Sequence, residues 1–466
     1  MFCSFTLGAS LYDFKPDKSS LPTRGSTTDN KTPIPLRFPL CILHPSPDDP
    51  DVPLPTPPPI DPTFGLATYT PSPQSSLVPK PGAGRDHPFY RSFSKVRRLI
   101  DITPDHLIAL NLHHTHSHAL SDLLPEAYHI PPPSPALPAA DSPEYLALSE
   151  TQRALLDRRR SLQTIFAERA AELSIRNSDA FDTLARIRRD LKLGNMFRFF
   201  QTVELVTAYF KEDAVKQGEY TAGMPEKFRE ELVKTFLEPI GWWAEMRYNA
   251  PRNPSKIALL NSLFQSRHDL LSYLPPPSND ERRLGILEGP IYAVQVRHDE
   301  NFTTPSYIRS LPPYGRWEQG DVWDLAREVG GIIAMAQERR KARIHAGEKI
   351  GRVRARVVGP VRKDEEEKED GDFDEVWMIV CVHAHIAIVK GRVSERYLKF
   401  LETCDLEAVT GGDQSMLTAE GGEWAGLRVM RSRWWCLVDP EERVEAAYAV
   451  GGVMERMCGD VEIIFK

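Results

Sequence analysis

The sequence predicts a multidomain protein: a disordered, proline-rich N-terminal tail, an all-α middle domain, and a C-terminal α+β domain whose antiparallel, ferredoxin-like sheet carries helices on one face. Three observations support this. Of the 40 prolines, 27 lie before residue 151. Apolar residues then recur at helical spacing, and in the last third of the chain β-branched runs alternate with helical patterns. The predicted boundaries are 1–88 for the tail, 89–130 for a short helical segment with a histidine cluster, 131–141 for a proline-rich linker, 142–277 for the all-α domain and 285–466 for the α+β domain.

The tail, 1–88, contains stretches such as PSPDDPDVPLPTPPPIDPTF. Proline lacks a backbone donor and restricts the residue before it, so neither a helix nor a central strand propagates here. Extended proline-rich segments can dock in aromatic grooves of partner domains. The tail is therefore expected either to recruit protein partners or to be a solvated segment without a dedicated reader.

The segment 89–130 carries the stretch NLHHTHSHALSD and is predicted to be helical from Thr103, because Pro104 suits a first helical turn. On such a helix, His114 and His118 share one face at a spacing that lets two imidazoles bind one zinc ion. The zinc-peptidase pattern requires a glutamate directly after the first histidine, where Thr115 stands. The alternatives are a polar helix face and a pH-responsive surface.

The all-α domain, 142–277, is predicted from apolar patterns of period 3.6 that open at helix-start residues. Ser142, Pro143 and Glu144 open the first helix. Later helices are predicted from MFRFFQTVELVTAYF, PEKFREELVKTFLEPIGWW and NPSKIALLNSLFQSRHDLLSYLPPP. This domain is a further candidate surface for protein partners.

The α+β domain, 285–466, is predicted from strands such as GPIYAVQVRH and LRVMRSRWWCLV alternating with helices that open at Ser394 and Asp439. VWMIVCVHAHIAIVKG is predicted to form one long strand. Because side chains alternate along a strand, Cys381, His383 and His385 would share one face and could bind zinc or copper. Ordinary packing on a sheet face is the alternative.

The most basic stretch of the chain, QERRKARIHAGEKIGRVRARVVGPVRK, predicts a binding surface for an anionic partner, including nucleic acid. Its candidate residues are Arg339, Arg340 and Lys341 on a helix and Arg352, Arg354 and Arg356 on one face of a strand. The acidic hairpin loop 364–375, DEEEKEDGDFDE, follows directly, and its carboxylates are expected to neutralise these cations or to compete with the ligand. Two complementary solvated charge runs are the alternative.

Composition limits the function classes. A formal net charge of −7 makes the whole chain a poor electrostatic binder, so anion binding requires a local basic surface. No apolar run is long enough for a transmembrane helix, and six widely spaced cysteines favour an intracellular location, cytoplasmic or nuclear. The leading hypothesis is a soluble interaction or scaffold protein with no catalytic residues and no cofactor. The alternatives are a metal-dependent hydrolase that uses a histidine cluster and a structural subunit whose helical domain mediates self-assembly.

Overall fold

The computed structural model describes a large part of the chain after residue 90. The described residues are 91, 93–96, 101–103, 106–107, 110, 112–125, 128–130, 138–186, 193–217, 226–251, 255–259, 262–266, 268–276, 278–284, 287–297, 320–344, 349–350, 353–355, 373–382, 384–404 and 427–458. The predicted tail, 1–88, lies outside these residues. So do 364–372 of the acidic loop, and Arg352, Arg356 and His383.

Ten α-helices lie in the described part of the chain. They are α1 (Leu120–Leu123), α2 (Pro143–Leu146), α3 (Glu150–Leu173), α4 (Asn177–Arg186), α5 (Phe197–Gln217), α6 (Glu226–Gly241), α7 (Asn279–Arg283), α8 (Gly320–Ile344), α9 (Glu395–Thr403) and α10 (Pro440–Cys458). Several begin where the sequence places a capping residue, because a side-chain oxygen there accepts a bond from a free amide of the first turn. Ser142 accepts from the Tyr145 amide at 3.1 Å and Ser394 from the Tyr397 amide at 3.0 Å. None of the described helices has the length and apolar character needed to cross a membrane.

Thirteen strands are described. They are β1 (Leu112–His118), β2 (Arg247–Asn249), β3 (Ser255–Leu259), β4 (Ser262–Ser266), β5 (Leu270–Tyr273), β6 (Leu287–Gly289), β7 (Ala293–Arg297), β8 (Lys349–Ile350), β9 (Val353–Ala355), β10 (Phe373–Val382), β11 (His385–Ser394), β12 (Leu427–Ser432) and β13 (Trp435–Cys436). The main sheet has the order β1-β12-β11-β10-β7-β5-β2, and β13 also pairs with β11. It is mixed, because β1 runs parallel to β12 and β7 parallel to β10 while the other pairs are antiparallel.

The ferredoxin-like topology is not confirmed. A split β-α-β unit, as in that fold, separates its two parallel strands by a further strand. In this sheet the parallel strands β7 and β10 pair directly with each other, and β8 and β9, which follow α8 in the chain, belong to a separate sheet. The predicted combination of helices with a sheet stands, but the sheet is mixed where an antiparallel one was predicted.

Both faces of the main sheet are buried, which corrects the expectation that helices cover only one. Along β10, Trp377, Ile379 and Cys381 point to a core shared with α3–α6 and α10, on what we call the front face. Val376, Met378 and Val380 point to a second core under α8 and α9, on the back face. Helices from the predicted all-α region and strands from the predicted α+β region therefore share one hydrophobic core.

The predicted helix over NPSKIALLNSLFQSRHDLLSYLPPP is wrong, and the region 142–277 is not all helical. This stretch forms β3 and β4, which pair as a hairpin, followed by β5. Burial alternates along β5, where Leu270 and Ser272 are buried and Leu271 and Tyr273 are half-buried. Pairing of β5 with β7 and β2 decides the conformation, because packing against neighbouring strands outweighs the weak local preference of such residues.

Glu204 on α5 gives a test of this core. Its exposed fraction is 7%, and it has no hydrogen bond or ion pair with any residue that the structure describes. Burial raises the pKa of its carboxyl to about 7. Burial penalises the ionised carboxylate, so the folded state is more stable while Glu204 is protonated. That stability is lost as the pH rises from about 4.5 through 7.

Replacing Glu204 by glutamine is therefore expected to increase the free energy of unfolding by about 2–3 kcal/mol at pH 8.5 and to leave it nearly unchanged at pH 5. Urea unfolding at both pH values measures the difference. Equal effects at the two pH values would show that ionisation of Glu204 does not oppose folding.

Candidate anion-binding site

The histidine cluster lies on a strand, not on the predicted helix. His114 on β1 is fully buried on the back face, and its Nε2 lies 2.9 Å from Oε1 of Glu328 on α8. Arg297 of β7 and Arg431 of β12 donate to the other carboxylate oxygen of Glu328, at 2.9 and 3.1 Å. Burial by itself raises the pKa of Glu328, but Arg431, Arg297 and His114 hold it well below its usual range. This buried quartet fixes β1, β7 and β12 beneath α8.

His114 and His118 do not come together. Between Thr115 and His118 the register of β1 against β12 shifts by one residue, as in a β-bulge. A shift of one residue reverses which face of a sheet a side chain occupies. His118 accordingly bonds Thr115 Oγ1 at 2.7 Å, while His114 bonds Glu328 on the back face.

The set Cys381, His383 and His385 is also divided by the fold. The predicted single strand is a hairpin, in which Val382 of β10 pairs with His385 of β11. Cys381 belongs to the front-face core and pairs with Ile386, so the hairpin places it and His385 on opposite faces. Among the described residues, no three histidine, cysteine or acidic side chains are placed to hold one metal ion.

The predicted basic residues on α8 contact carboxylates of the chain itself. Arg339 is buried, and its guanidinium donates to both oxygens of Asp374 at 2.9 and 3.1 Å. Arg340 bonds Glu402 at 2.6 Å as well as Glu395, and Lys341 bonds Glu338 at 2.8 Å. Asp374 is the next-to-last residue of the acidic stretch 364–375, so neutralisation of a predicted cation by that stretch is observed at this pair. Arg354 lies on β9, apart from α8 in sequence and in a different sheet from Asp374.

A different group of cations meets on the front face of the main sheet. We call Lys390 and Arg392 of β11, Arg428 of β12 and Arg456 of α10 the basic cluster. Arg392 pairs in register with Arg428 on one side and with Glu375 of β10 on the other. Alternation places Arg392 and Arg428 on the face of Lys390 and Met430, the front face. Exposure rises from buried Arg456, through half-buried Lys390 and Arg392, to exposed Arg428.

Glu375 lies between two members of the basic cluster. Its Oε1 is 3.4 Å from Nζ of Lys390, and its Oε2 accepts from Nε and Nη2 of Arg456 at 3.3 and 3.1 Å. Lys390 also donates to the Leu123 carbonyl at 2.9 Å and lies 5.3 Å from the ring centre of Trp377. Arg456 stacks over Tyr128, and its buried Nη1 has no hydrogen-bond partner among the residues that the structure describes.

The pKa of Lys390 reports the balance of charge at this place. Burial lowers it most, and the positive charges of Arg456 and Arg392 lower it further, while Glu375 raises it. The net direction is downward, so one carboxylate does not offset the desolvation and the two neighbouring guanidinium groups. A second negative charge here would be attracted strongly, because water is partly excluded.

Comparison with known proteins assigns no role to these residues. No protein-family model matches the chain, and no significant match to a curated protein or to a solved structure was found. The geometry of the basic cluster therefore carries the functional argument.

Proposed function

We propose that this chain is an interaction protein that binds an anionic partner, and that the basic cluster is where the partner binds. The observation that carries the proposal is the placement of four cationic side chains, from β11, β12 and α10, on one face of the sheet, where Lys390 and Arg456 both contact the carboxylate of Glu375. Guanidinium groups suit this role because their planar donors match the oxygens of phosphate and carboxylate. In this proposal the proline-rich segment 1–88 recruits protein partners.

The gradient of solvent exposure across the four basic side chains supports the proposal. Arg428 and Arg392 are the members of the basic cluster that a large partner reaches first, whereas Lys390 and Arg456 lie deeper, with exposed side-chain fractions of 11% and 5%. Exposed cations contribute long-range attraction and faster association. Buried cations contribute stronger interactions once the anion has arrived.

We expect the double variant Arg392→Ala, Arg428→Ala to bind a fluorescent single-stranded 20-mer oligonucleotide about tenfold more weakly than the native chain at low salt. The slope of log affinity against log salt should become shallower by about 1.4, because two phosphate contacts are lost from a single strand. Fluorescence anisotropy over a salt series measures both quantities.

The matched control is Arg198→Ala, Arg282→Ala, which removes the same charge from two arginines that are 45% and 39% exposed and lie on α5 and α7. It should bind like the native chain. If both double variants lose affinity equally, the effect is one of net charge, and the basic cluster is not the binding surface.

A further inference from the structure

We infer that the basic cluster holds a phosphate-group subsite between Lys390 and Arg456, and that Glu375 occupies this subsite as an internal competitor when no ligand is bound. This inference rests on the proposed function and names its ligand chemistry. Glu375 is the carboxylate that touches both cations, at 3.4 Å from Lys390 and 3.1 Å from Arg456. It is also the most exposed of the three side chains, at 20%.

The donors at this place exceed what Glu375 can accept. Its two oxygens bond Lys390 and the Nε and Nη2 nitrogens of Arg456. Among the described residues, no acceptor lies within hydrogen-bond distance of the buried Nη1 nitrogen of Arg456, whose side chain is 5% exposed and lies over the ring of Tyr128. A buried donor without an acceptor is costly, and in folded proteins such groups are rare. A ligand that supplies one more acceptor at this point would remove that cost.

A phosphate group supplies the missing hydrogen-bond acceptor better than a carboxylate does. A carboxylate offers two oxygens, which is what Glu375 already provides. A phosphate group offers more oxygens in a tetrahedral arrangement, so it can bond Lys390, Arg456 and a third cation together. Arg392 supplies that cation, because it pairs in register with Glu375 and its charge lowers the pKa of Lys390.

Glu375 ends the acidic sequence 364–375, and the residue before it, Asp374, already neutralises Arg339 on the back face. The two acids thus point to opposite faces of β10 and contact arginines on both. A ligand phosphate must displace the Glu375 carboxylate, so the measured affinity includes the free energy of breaking its contacts with Lys390 and Arg456. Removing the negative charge of Glu375 should therefore strengthen phosphate binding.

The test is isothermal titration calorimetry of the full chain with inorganic phosphate at low ionic strength. Glu375→Gln should bind phosphate about tenfold more tightly than the native chain, since it removes one partner of two charged contacts and keeps the size of the side chain. Adding Lys390→Met to Glu375→Gln should abolish the gain. The control Glu231→Gln removes a 27% exposed acid that pairs with Arg198, and it should leave phosphate binding unchanged.

Circular dichroism checks that each variant is folded. If Glu375→Gln does not fold, Glu375→Ala also removes the negative charge, and it should bind phosphate with an affinity above that of the native chain. A folded variant of either kind that binds phosphate no more tightly than the native chain would overturn the inference and leave Glu375 as a structural ion-pair partner.

Two polymeric probes separate this inference from the proposed function. A 20-mer oligonucleotide and polyglutamate both carry repeated anions, but only the first carries phosphate. Tighter oligonucleotide binding by Glu375→Gln, with polyglutamate unchanged, supports a phosphate subsite, and a larger gain for polyglutamate overturns it. If Arg392→Ala, Arg428→Ala weakens oligonucleotide binding while Glu375→Gln changes neither probe, the proposed function holds and the subsite inference fails. If the native chain and Glu375→Gln bind neither polymer, the proposed function fails.

Discussion

Replacing Glu328 by glutamine is expected to lower the free energy of unfolding by about 3–5 kcal/mol, because it leaves buried guanidinium groups without their shared carboxylate. Glu328 is fully buried, and so, to within 2%, are His114, Arg297 and Arg431. Glutamine has nearly the same size, so the loss reports charge and hydrogen bonding more than a cavity. Equilibrium urea unfolding, followed by circular dichroism, measures it.

The matched control for this variant is Glu338→Gln, on the same helix α8. Glu338 is 50% exposed and pairs with Lys341, so its replacement should change the stability by less than about 1 kcal/mol. A Glu328→Gln variant within 1 kcal/mol of the native chain would show that the quartet does not hold β1, β7 and β12 under α8.

The quartet also predicts a direction for acid unfolding. The pKa of Glu328 is held below its usual range, so its contribution to stability is present above about pH 4.5 and is lost as the pH falls through the lowered value. Glu328→Gln lacks this titration. The stability difference between the native chain and Glu328→Gln should therefore shrink at acid pH, and a constant difference would exclude ionised Glu328 as its source.

Helix starts were predictable from sequence because the interactions that fix them are local. Ser142 and Ser394 cap helices where the sequence suggested, each through a bond to an amide three residues ahead. Asp439 does the same for α10, accepting from the amides of Glu441 and Glu442 at 2.9 Å. A few residues contain all of the information that these starts require.

The strands that were missed depend on distant partners. β1 contains four histidines and no helix-breaking residue, and its conformation follows from parallel pairing with β12, more than 300 residues away. β10 and β11 form a hairpin in which Val382 pairs with His385, and the two residues between them in the sequence are not types that mark tight turns. Local preference therefore predicted a helix where β1 forms, and it predicted one continuous strand where β10 and β11 form a hairpin.

The basic cluster could have been predicted in part. In VKGRV, Lys390 and Arg392 alternate with Val389, Gly391 and Val393, which indicates a strand with both cations on one face. Sequence does not show that β11 and β12 are neighbours, nor that α10 brings Arg456 to the same place. The sequence instead predicted an anion-binding surface at the densest basic run. In the structure, Arg339 of that run bonds Asp374, and Arg340 bonds Glu395 and Glu402.

Replacing Arg443 by methionine is the other substitution with a large expected effect, a loss of about 3–5 kcal/mol in the free energy of unfolding. Arg443 on α10 is fully buried, and burial lowers its pKa to about 10. Its guanidinium donates to the carbonyls of Leu173 and Ile175, just where α3 ends, and to Oδ1 of Asn177 at 2.6 Å. Carbonyls at a helix end have no partner within the helix, so removing Arg443 leaves them buried and unsatisfied.

A lysine at this position separates charge from geometry. Arg443→Lys keeps the positive charge, but one ammonium group cannot reproduce the planar fork that reaches both carbonyls and Asn177. We expect it to lose stability as well, whereas Arg433→Met, which removes a 46% exposed arginine paired with Glu445, should lose less than about 1 kcal/mol. If Arg443→Lys matched the native chain while Arg443→Met did not, charge alone would join α10 to the end of α3. If both variants lost several kcal/mol, the fork geometry would be what fixes α10 against the α3 end, and with α10 the position of Arg456 in the basic cluster.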